Sequence, residues 1–590
     1  MFRRIEDTME PDASFPADLK KLGFFVNTTG HIRMINAPEK PFLYHATNNE
    51  RVNEVRREAM QACQRMEVEV RLASLGLKRI YLPAFTLEKP NGPHVPILAP
   101  VPETLKKRKR VIVLVNSTLQ DLGILSYGEL QRDLGINGGS VVNFVKEMVK
   151  RSRDDADEQN ADIFEDGYRL ADDSLTPGLV VMNTAQFLYS HKHNQAMTLR
   201  SWSAMLRKSI AHDMIRIHTT ENHVQGHRTA QEHVKTVFDQ VICNPDRVAA
   251  DADVYLIAIE DGNEHVLNLL AEDFEKYGTR ITAMALINSL MEDSQIKDPR
   301  LRAFLHQRAR QWKFSDVTPN PLHCTDLPEG YEQDFNDDYH LDMSKHIAWH
   351  EEVPNGPIAA IQKTLRHVSL ASTAPKQAQP APSSSGAGEA TVEWSSGQRV
   401  VCPTFGGGPS PSGESILTHR PVQHAVLSFF EQVSQDPENY RNKNLIVYKE
   451  APKPSPDNPL ALFAEDAENN TSSVSDDKTT ATTIEQAELS EGKEELMRLR
   501  QALNACPDDM PELESGREKL ARKIAKLECQ LQAMEEKEKK ALEAAAAVQA
   551  AAQQTEPQVW RPEVQGAKVP FAGTTVDSEL LRAAGLMESS

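Results

Sequence analysis

One turn in this chain places carboxylates where a nucleophile would be expected. Ile259-Glu260-Asp261-Gly262-Asn263 follows Asp253 to Ile259, an apolar, β-branched run short enough to be a strand buried on both faces. Beyond the turn, Val266, Leu269, Leu270 and Phe274 recur at helical spacing, as in an amphipathic helix. Strand, sharp glycine-containing turn and helix together are the geometry of a nucleophile elbow, whose tip carries a serine. Here the tip carries Glu260. A serine hydroxyl deprotonated by histidine attacks a carbonyl and leaves as an ester. A carboxylate could do so only through an anhydride. Glu260 with Asp261 could instead act as a carboxylate nucleophile, with His265 or His419 activating water.

Other clusters have weaker chemical signatures. His212, His218, His223 and His227 are crowded, and Asp334, Asp337, Asp338 and Asp342 form an acidic run. Neither has a recognised metal-ligand spacing on a strand or helix, so loop histidines and a solvated acidic loop are expected, with no metal and no cofactor. The glycines of GINGGS (Gly135 to Ser140) and FGGGP (Phe405 to Pro409) lack the patterns that cradle phosphate. Lys106-Lys107-Arg108-Lys109-Arg110 stands directly before the apolar run Val111 to Val115. It can be read as an import signal, a nucleic-acid patch or simply a solvated strand entrance.

Composition narrows the classes. A net charge of -19 repels phosphate backbones, so direct nucleic-acid binding is not the expected role. The six cysteines are scattered without a CxxC pair, which points to reduced thiols in nucleus or cytoplasm. The sequence MFRRIEDTMEP lacks an apolar signal core, and no apolar run approaches the roughly 20 residues of a membrane span. A soluble intracellular protein is expected.

The elements that would position the turn follow in order. A polar, disordered leader is expected at 1–14, and after the turn Asn27 to Gly30 the runs His31 to Asn36 and Pro41 to Ala46 read as the short strands of a small hairpin. A helix is expected from Asn49 to about Ala73, then a strand at Lys78 to Pro83. Prolines between Pro90 and Pro102 predict an extended, exposed connection. Buried strands are expected at Val111 to Val115, Gly178 to Thr184, Asp253 to Ile259 and Ile281 to Ile287. Helices are expected at Val141 to Arg151, Ala230 to Ile242 and after Gly262. A further helix opens at Asp298-Pro299 and carries Leu301, Phe304, Leu305 and Trp312. Strands alternating with helices predict a doubly wound, mostly parallel α/β sheet, α/β-hydrolase-like in its elbow. A disordered insertion at 371–395 interrupts this domain, which resumes with a strand at Arg399 to Phe405 and a helix bearing Val422, Val426, Phe429, Phe430 and Val433. The domain therefore spans 15–450. An acidic linker covers 451–483. Leucine-rich helices at 484–554, broken at Cys506 to Pro511, form either an intramolecular hairpin or a homodimeric coiled coil. A largely disordered tail covers 555–590.

FPADLKKLGFFVNTTGHIRMI (Phe15 to Ile35), TAQEHVKTVFDQVI (Thr229 to Ile242) and VYLIAI (Val254 to Ile259) together resemble the Arb-type domain of fungal argonaute-binding proteins. That domain also occurs in fungal class II histone deacetylases and an animal nuclear regulator. The resemblance implies an α/β-hydrolase-like fold, a nuclear setting, and an argonaute or chromatin-silencing partner in small-RNA-directed heterochromatin assembly. Relatives with His-Ser-x-Gly-Gly at the elbow match Ile259 to Asn263 here. Their triad aspartate matches Asn288, their histidine matches Ser415 (with His419 and His424 nearby), and their oxyanion-loop His-Gly matches Asn116 and Ser117. Each catalytic position is altered. Since loss of one triad member costs roughly 10⁴-fold or more in rate, a non-catalytic binding scaffold is expected. The alternative is a surviving hydrolase using Glu260 or a displaced nucleophile.

Overall fold

The central strands are apolar in every register because helices cover both faces of the sheet. A computed structural model describes residues 9–152, 163–209, 212–329, 331, 400–443, 445–448, 484–554, 568–571 and 574–577. The predicted insertion at 371–395, the linker at 451–483 and the acidic run Asp334 to Asp342 lie outside the described residues.

The main sheet comprises β1 (Lys78–Leu82), β2 (Val95–Ala99), β3 (Arg110–Val115), β4 (Leu179–Val181), β5 (Asp253–Ile259), β6 (Ala283–Ile287), β7 (Ala309–Lys313), β8 (Cys324–Asp326) and β9 (Thr404–Gly406). Their spatial order is β8-β9-β7-β6-β5-β3-β4-β2-β1. From β9 to β4 each neighbouring pair is parallel. The two ends of the sheet add antiparallel strands. Along β5, Val254, Leu256 and Ala258 enter one hydrophobic cluster while Tyr255, Ile257 and Ile259 enter the other, as the period of two requires.

Helices α1 (Glu50–Ser74), α2 (Val142–Arg151) and α6 (Arg420–Gln435) supply the first cluster. Helices α3 (Ala230–Val237), α4 (Asp261–Glu272) and α5 (Pro299–Arg308) supply the second. Local signals start these helices. The Thr229 hydroxyl accepts the Glu232 N–H at 3.1 Å, and Asp298 caps α5 with Pro299 in its first turn.

Two readings of the sequence are corrected. The stretch between Pro90 and Pro102 contains β2, all five residues of which are buried. Its proline is tolerated because the β2–β4 ladder is registered at Leu98, past Pro96, and the free Pro96 carbonyl accepts Asn183 Nδ2 at 3.0 Å. The helix expected to run to Trp312 ends at Arg308 and passes directly into β7. Trp312 is thus a strand residue, packed on Phe405 and Phe429. The last parallel strand is also shorter than expected, beginning only at Thr404.

The chain divides into two compact units, 1–472 with 502–520, and 473–501 with 521–590. In the first, Cys506 and Leu513 bury against Phe25, and Thr28 N–H donates to the Ala505 carbonyl at 3.0 Å. In the second, residues of α7 (Ile484–Asn504) pair with residues of α8 (Glu514–Gln554) through Arg500–Glu528, Lys523–Glu495 and Lys493–Glu535. From Lys493–Glu535 to Arg500–Glu528 the numbers rise on one helix and fall on the other, so the helices run antiparallel within one chain. Within the predicted tail, Lys568–Phe571 and Thr574–Asp577 pair as a small hairpin.

Candidate functional site at the strand-to-helix turn

The elbow has its special backbone. Glu260 sits at φ 50° and ψ -120°, a region that costs a non-glycine residue roughly 1–3 kcal/mol. Several bonds fix it there. Glu260 N–H donates to the Ile287 carbonyl at 2.9 Å, and its own carbonyl accepts Asn263 N–H at 3.0 Å. The fully buried Asn263 amide adds bonds to the Glu260 and Ile287 carbonyls at 2.8 and 2.9 Å. At Gly262 a β-carbon would stand 2.6 Å from the Val115 carbonyl oxygen and 2.8 Å from that of Asn116. Only glycine lets the turn pass this close to the end of β3.

The side chains at the tip form a different set from a catalytic triad. The half-buried Glu260 carboxylate accepts hydrogen bonds from Ser117 and Asn288 and faces Glu414. Asn288 follows β6 and also has a positive φ of 50°, which asparagine tolerates. Gly413 is pressed against Asn288 Nδ2 and Glu260 Oε1, so that a β-carbon there would overlap both. Glu414 is held by the Ser126 hydroxyl at 3.0 Å and by Gln120 Nε2. Burial, followed by the Glu414 charge, raises the Glu260 pKa, partly opposed by its bonds to Ser117 and Asn288.

Of the residues singled out in sequence, Glu260, Asn288 and Ser117 come together, while Ser415 turns away. Its buried hydroxyl donates to Glu129 Oε1 at 3.0 Å. Gly413 and Glu414, one or two residues earlier, occupy the place facing the elbow. The histidines make contacts of their own. His424 Nε2 is 3.2 Å from Glu147, and His265 Nδ1 is 3.3 Å from Gln231 Oε1. His419 starts α6 beside Gly408, with Nδ1 buried and without a hydrogen-bond partner; burial lowers its pKa.

An oxyanion hole needs N–H groups free to point at substrate. The amides that leave β3 have acceptors already. Asn116 Oδ1 takes Ser117 N–H at 2.8 Å, with Asn116 Nδ2 anchored on the Ile124 carbonyl at 2.6 Å. Thr118 N–H donates to Asp261 Oδ1 at 3.0 Å, and its hydroxyl donates to Asp261 Oδ2. Behind them, Asp121 receives Gln186 Nε2 at 2.6 Å and the Tyr127 hydroxyl at 2.7 Å, and pairs with Arg65 at 3.1 Å. Sequence reasoning placed Asn263 in the elbow without its anchoring role, and missed Glu414 and Asp121, which carried no local signal.

With this geometry in hand, a family model of the Arb2 domain matches residues 15–318, more than half of the chain. The chain belongs to the Arb2-domain family. No curated protein and no solved structure matches it at a significant level. The Arb2 match takes in the elbow and β1 to β7, and the sheet continues beyond it with β9 and α6. The domain expected at 15–450 thus extends past the matched residues.

Within the Arb2 match, the basic run is divided between partners. Lys106 is 3.6 Å from Asp246 and Lys109 pairs with Asp251. Arg108 donates to the Asp173 and Ser174 carbonyls at 3.3 and 2.7 Å, and Arg110 to the Ser434 hydroxyl at 2.7 Å. The crowded histidines also separate. His212 bonds Ser209, His218 bonds Thr220, and His227 bonds His233. Among the described residues no group of three or more His, Cys, Asp or Glu side chains has metal-binding geometry, and no helix is long and apolar enough to cross a membrane.

Proposed function

We propose that this Arb2-domain protein is a non-catalytic, protein-binding scaffold, acting with an argonaute or another chromatin-silencing protein in small-RNA-directed gene silencing in the nucleus. The observation that carries the reading is the capture of Thr118 N–H by Asp261. The loop amide next to the oxyanion-loop positions Asn116 and Ser117 is bonded internally, as is Ser117 N–H itself, beside an elbow whose tip is a carboxylate. A developing oxyanion would meet the Glu260, Asp261 and Glu414 carboxylates there, where stabilisation requires donors.

A binding role also agrees with the surface at this end of the sheet. Leu119 after β3, Leu290 after β6, and Phe314 and Val317 after β7 are exposed on loops leaving the same end of the parallel strands. Large exposed apolar side chains at one end of the strands suit a protein interface. Affinity capture of the tagged full-length chain from nuclear extract tests the proposal. An argonaute or silencing factor should be recovered, and the Leu119→Asp/Leu290→Asp double variant should lose it. Recovery of neither would remove the partner assignment.

A second reading is carboxylate catalysis by Glu260, favoured by its elbow backbone and raised pKa. Pure protein incubated with esters and epoxides decides this. Turnover that disappears in Glu260→Gln would establish the enzyme and overturn the scaffold.

A further inference from the structure

The basic run before β3 is not one patch, because an extended backbone sends alternate side chains to opposite sides. Arg108 is already extended, at φ -75° and ψ 124°, and β3 begins at Arg110. Arg108, Arg110 and Ile112 therefore share one face, and these three line a cavity of about 320 Å³. Lys109 belongs to the other face, where it pairs with Asp251. The cavity lies at the amino end of the parallel strands, opposite the elbow, between α2 and α6. Its apolar wall includes Met148, Leu427 and Phe430.

Asp172 and Asp253 act on Arg108 and Arg110 only from beyond ion-pair distance. Arg151, also in the lining, is matched by Glu147 and Glu431, each at 2.9 Å. Among the described residues, no carboxylate lies within ion-pair distance of Arg108 or Arg110. Their hydrogen bonds go to neutral oxygens, the carbonyls of Asp173 and Ser174 and the hydroxyl of Ser434. Those bonds position the guanidiniums without neutralising them. Arg108 Nε is moreover buried without a hydrogen-bond partner, a state that normally calls for an acceptor. Two positive charges thus adjoin an apolar wall in a chain whose net charge is -19. Ligand pockets of roughly 300–1,000 Å³ combine these features, an apolar lining with a few polar groups that fix orientation.

We propose that this cavity binds an amphipathic anion, with its carboxylate or phosphate between Arg108 and Arg110 and its aliphatic body along Ile112, Met148, Leu427 and Phe430. Arginine suits such a head group because its planar fork meets two oxygens at once. The site is remote from the elbow and does not depend on whether the elbow binds or catalyses.

Calorimetric titration of the full-length chain with decanoate, decyl phosphate, decanol and inorganic phosphate tests the assignment. Decanoate and decyl phosphate should bind, and decanol and inorganic phosphate should each bind at least tenfold more weakly. Arg110→Gln should weaken decanoate at least tenfold, whereas Lys109→Gln, on the opposite face, should leave it unchanged. Leu427→Trp, which fills the apolar half, should weaken it comparably, and guards against an Arg110 effect that reflects folding alone. Decanol binding as well as decanoate, or decanoate binding by Arg110→Gln and Leu427→Trp equal to that of the wild type, would each overturn the proposal.

Discussion

Asp261, the first residue of α4, accepts both the amide and the hydroxyl of Thr118 across the gap between the ends of β5 and β3. One carboxylate thereby closes the loop that would otherwise offer an N–H to substrate. Asp261→Ala leaves a partly buried N–H and hydroxyl without their acceptor, which should destabilise the domain by about 1–3 kcal/mol. Denaturant unfolding measures this directly. A change below roughly 0.5 kcal/mol, the range of ordinary surface substitutions, would mean that water replaces the carboxylate freely and the loop is not fastened by it.

Gly262 is required by proximity and not by a positive φ. Gly262→Ala drives a methyl to 2.6 Å from the Val115 carbonyl oxygen, and a backbone oxygen at the end of a central strand cannot swing aside. Overpacking of this kind costs about 1–3 kcal/mol, so the thermal midpoint should fall by several degrees. An unchanged midpoint would show that α4 can shift away from β3 without loss.

Glu260 links the elbow to pH. Its carboxyl pKa is raised, first by burial and then by Glu414. A carboxyl with a raised folded-state pKa binds its proton more tightly when folded. Its stabilising contribution is complete below the unfolded value of about 4.3 and is lost as pH rises through the folded value. At pH 7 the ionised carboxylate therefore works against folding. Glu260→Gln should raise the melting temperature at pH 7 more than at pH 4. Equal shifts at both values would place the penalty elsewhere, for instance in the strained backbone, which glutamine shares.

The elbow and the layered sheet were legible because each follows from a short-range rule. Asp253 to Ile259 reads as a strand buried on both faces, and Gly262 marks the sharp turn. Trp312 was misread because the apolar spacing that continues α5 is equally compatible with a new strand. Only the packing of Trp312 on Phe405, ninety-odd residues onward, decides between them. The β2 strand was hidden by Pro96, whose missing N–H is harmless only because of how β4 is registered. Glu414 could not be placed opposite Glu260 from sequence, since a loop contact between two distant segments has no periodicity. The alternation of Arg108 and Arg110 with Lys109 was visible in principle, but the run reads as one charged block until the strand's extent is known.

Within the first unit, the segment carrying Cys506 and Leu513 packs on the hairpin formed by Phe24–Val26 and Ile32–Met34. Leu513 is fully buried there, beside Phe25 and Cys506. Leu513→Ala removes a buried side chain, a change that costs roughly 2–5 kcal/mol. The loss should be local, because these contacts are separate from the sheet's two clusters. Hydrogen exchange should quicken at the Thr28 amide, which donates to Ala505, while amides of β5 keep their protection. Simultaneous loss of protection in β5 would mean that the segment and the sheet unfold as one unit.

The last prediction concerns two buried imidazoles beside β4. Asn183 N–H donates to His233 Nε2 at 3.1 Å, so the His233 proton resides on Nδ1 and is donated to His227 Nδ1 at 2.8 Å. His227 must then carry its proton on Nε2, which is buried without a partner. Neither ring can accept another proton without breaking this chain. Burial lowers the His227 pKa to about 4, and burial with the neighbouring His227 imidazole holds that of His233 well below its ordinary value. A lowered histidine pKa means that the unfolded chain binds more protons, so stability is lost as pH falls from the unfolded value near 6.5. For His227 the loss levels off near pH 4, after roughly 3 kcal/mol at about 1.4 kcal/mol per pKa unit. Unfolding free energies at pH 7.5, 5.5 and 4.5 should decline in that order, and His227→Gln should flatten the decline. A slope unaltered by the substitution would assign the acid sensitivity to other groups, the carboxylates paired with Arg65 and Arg71 among them.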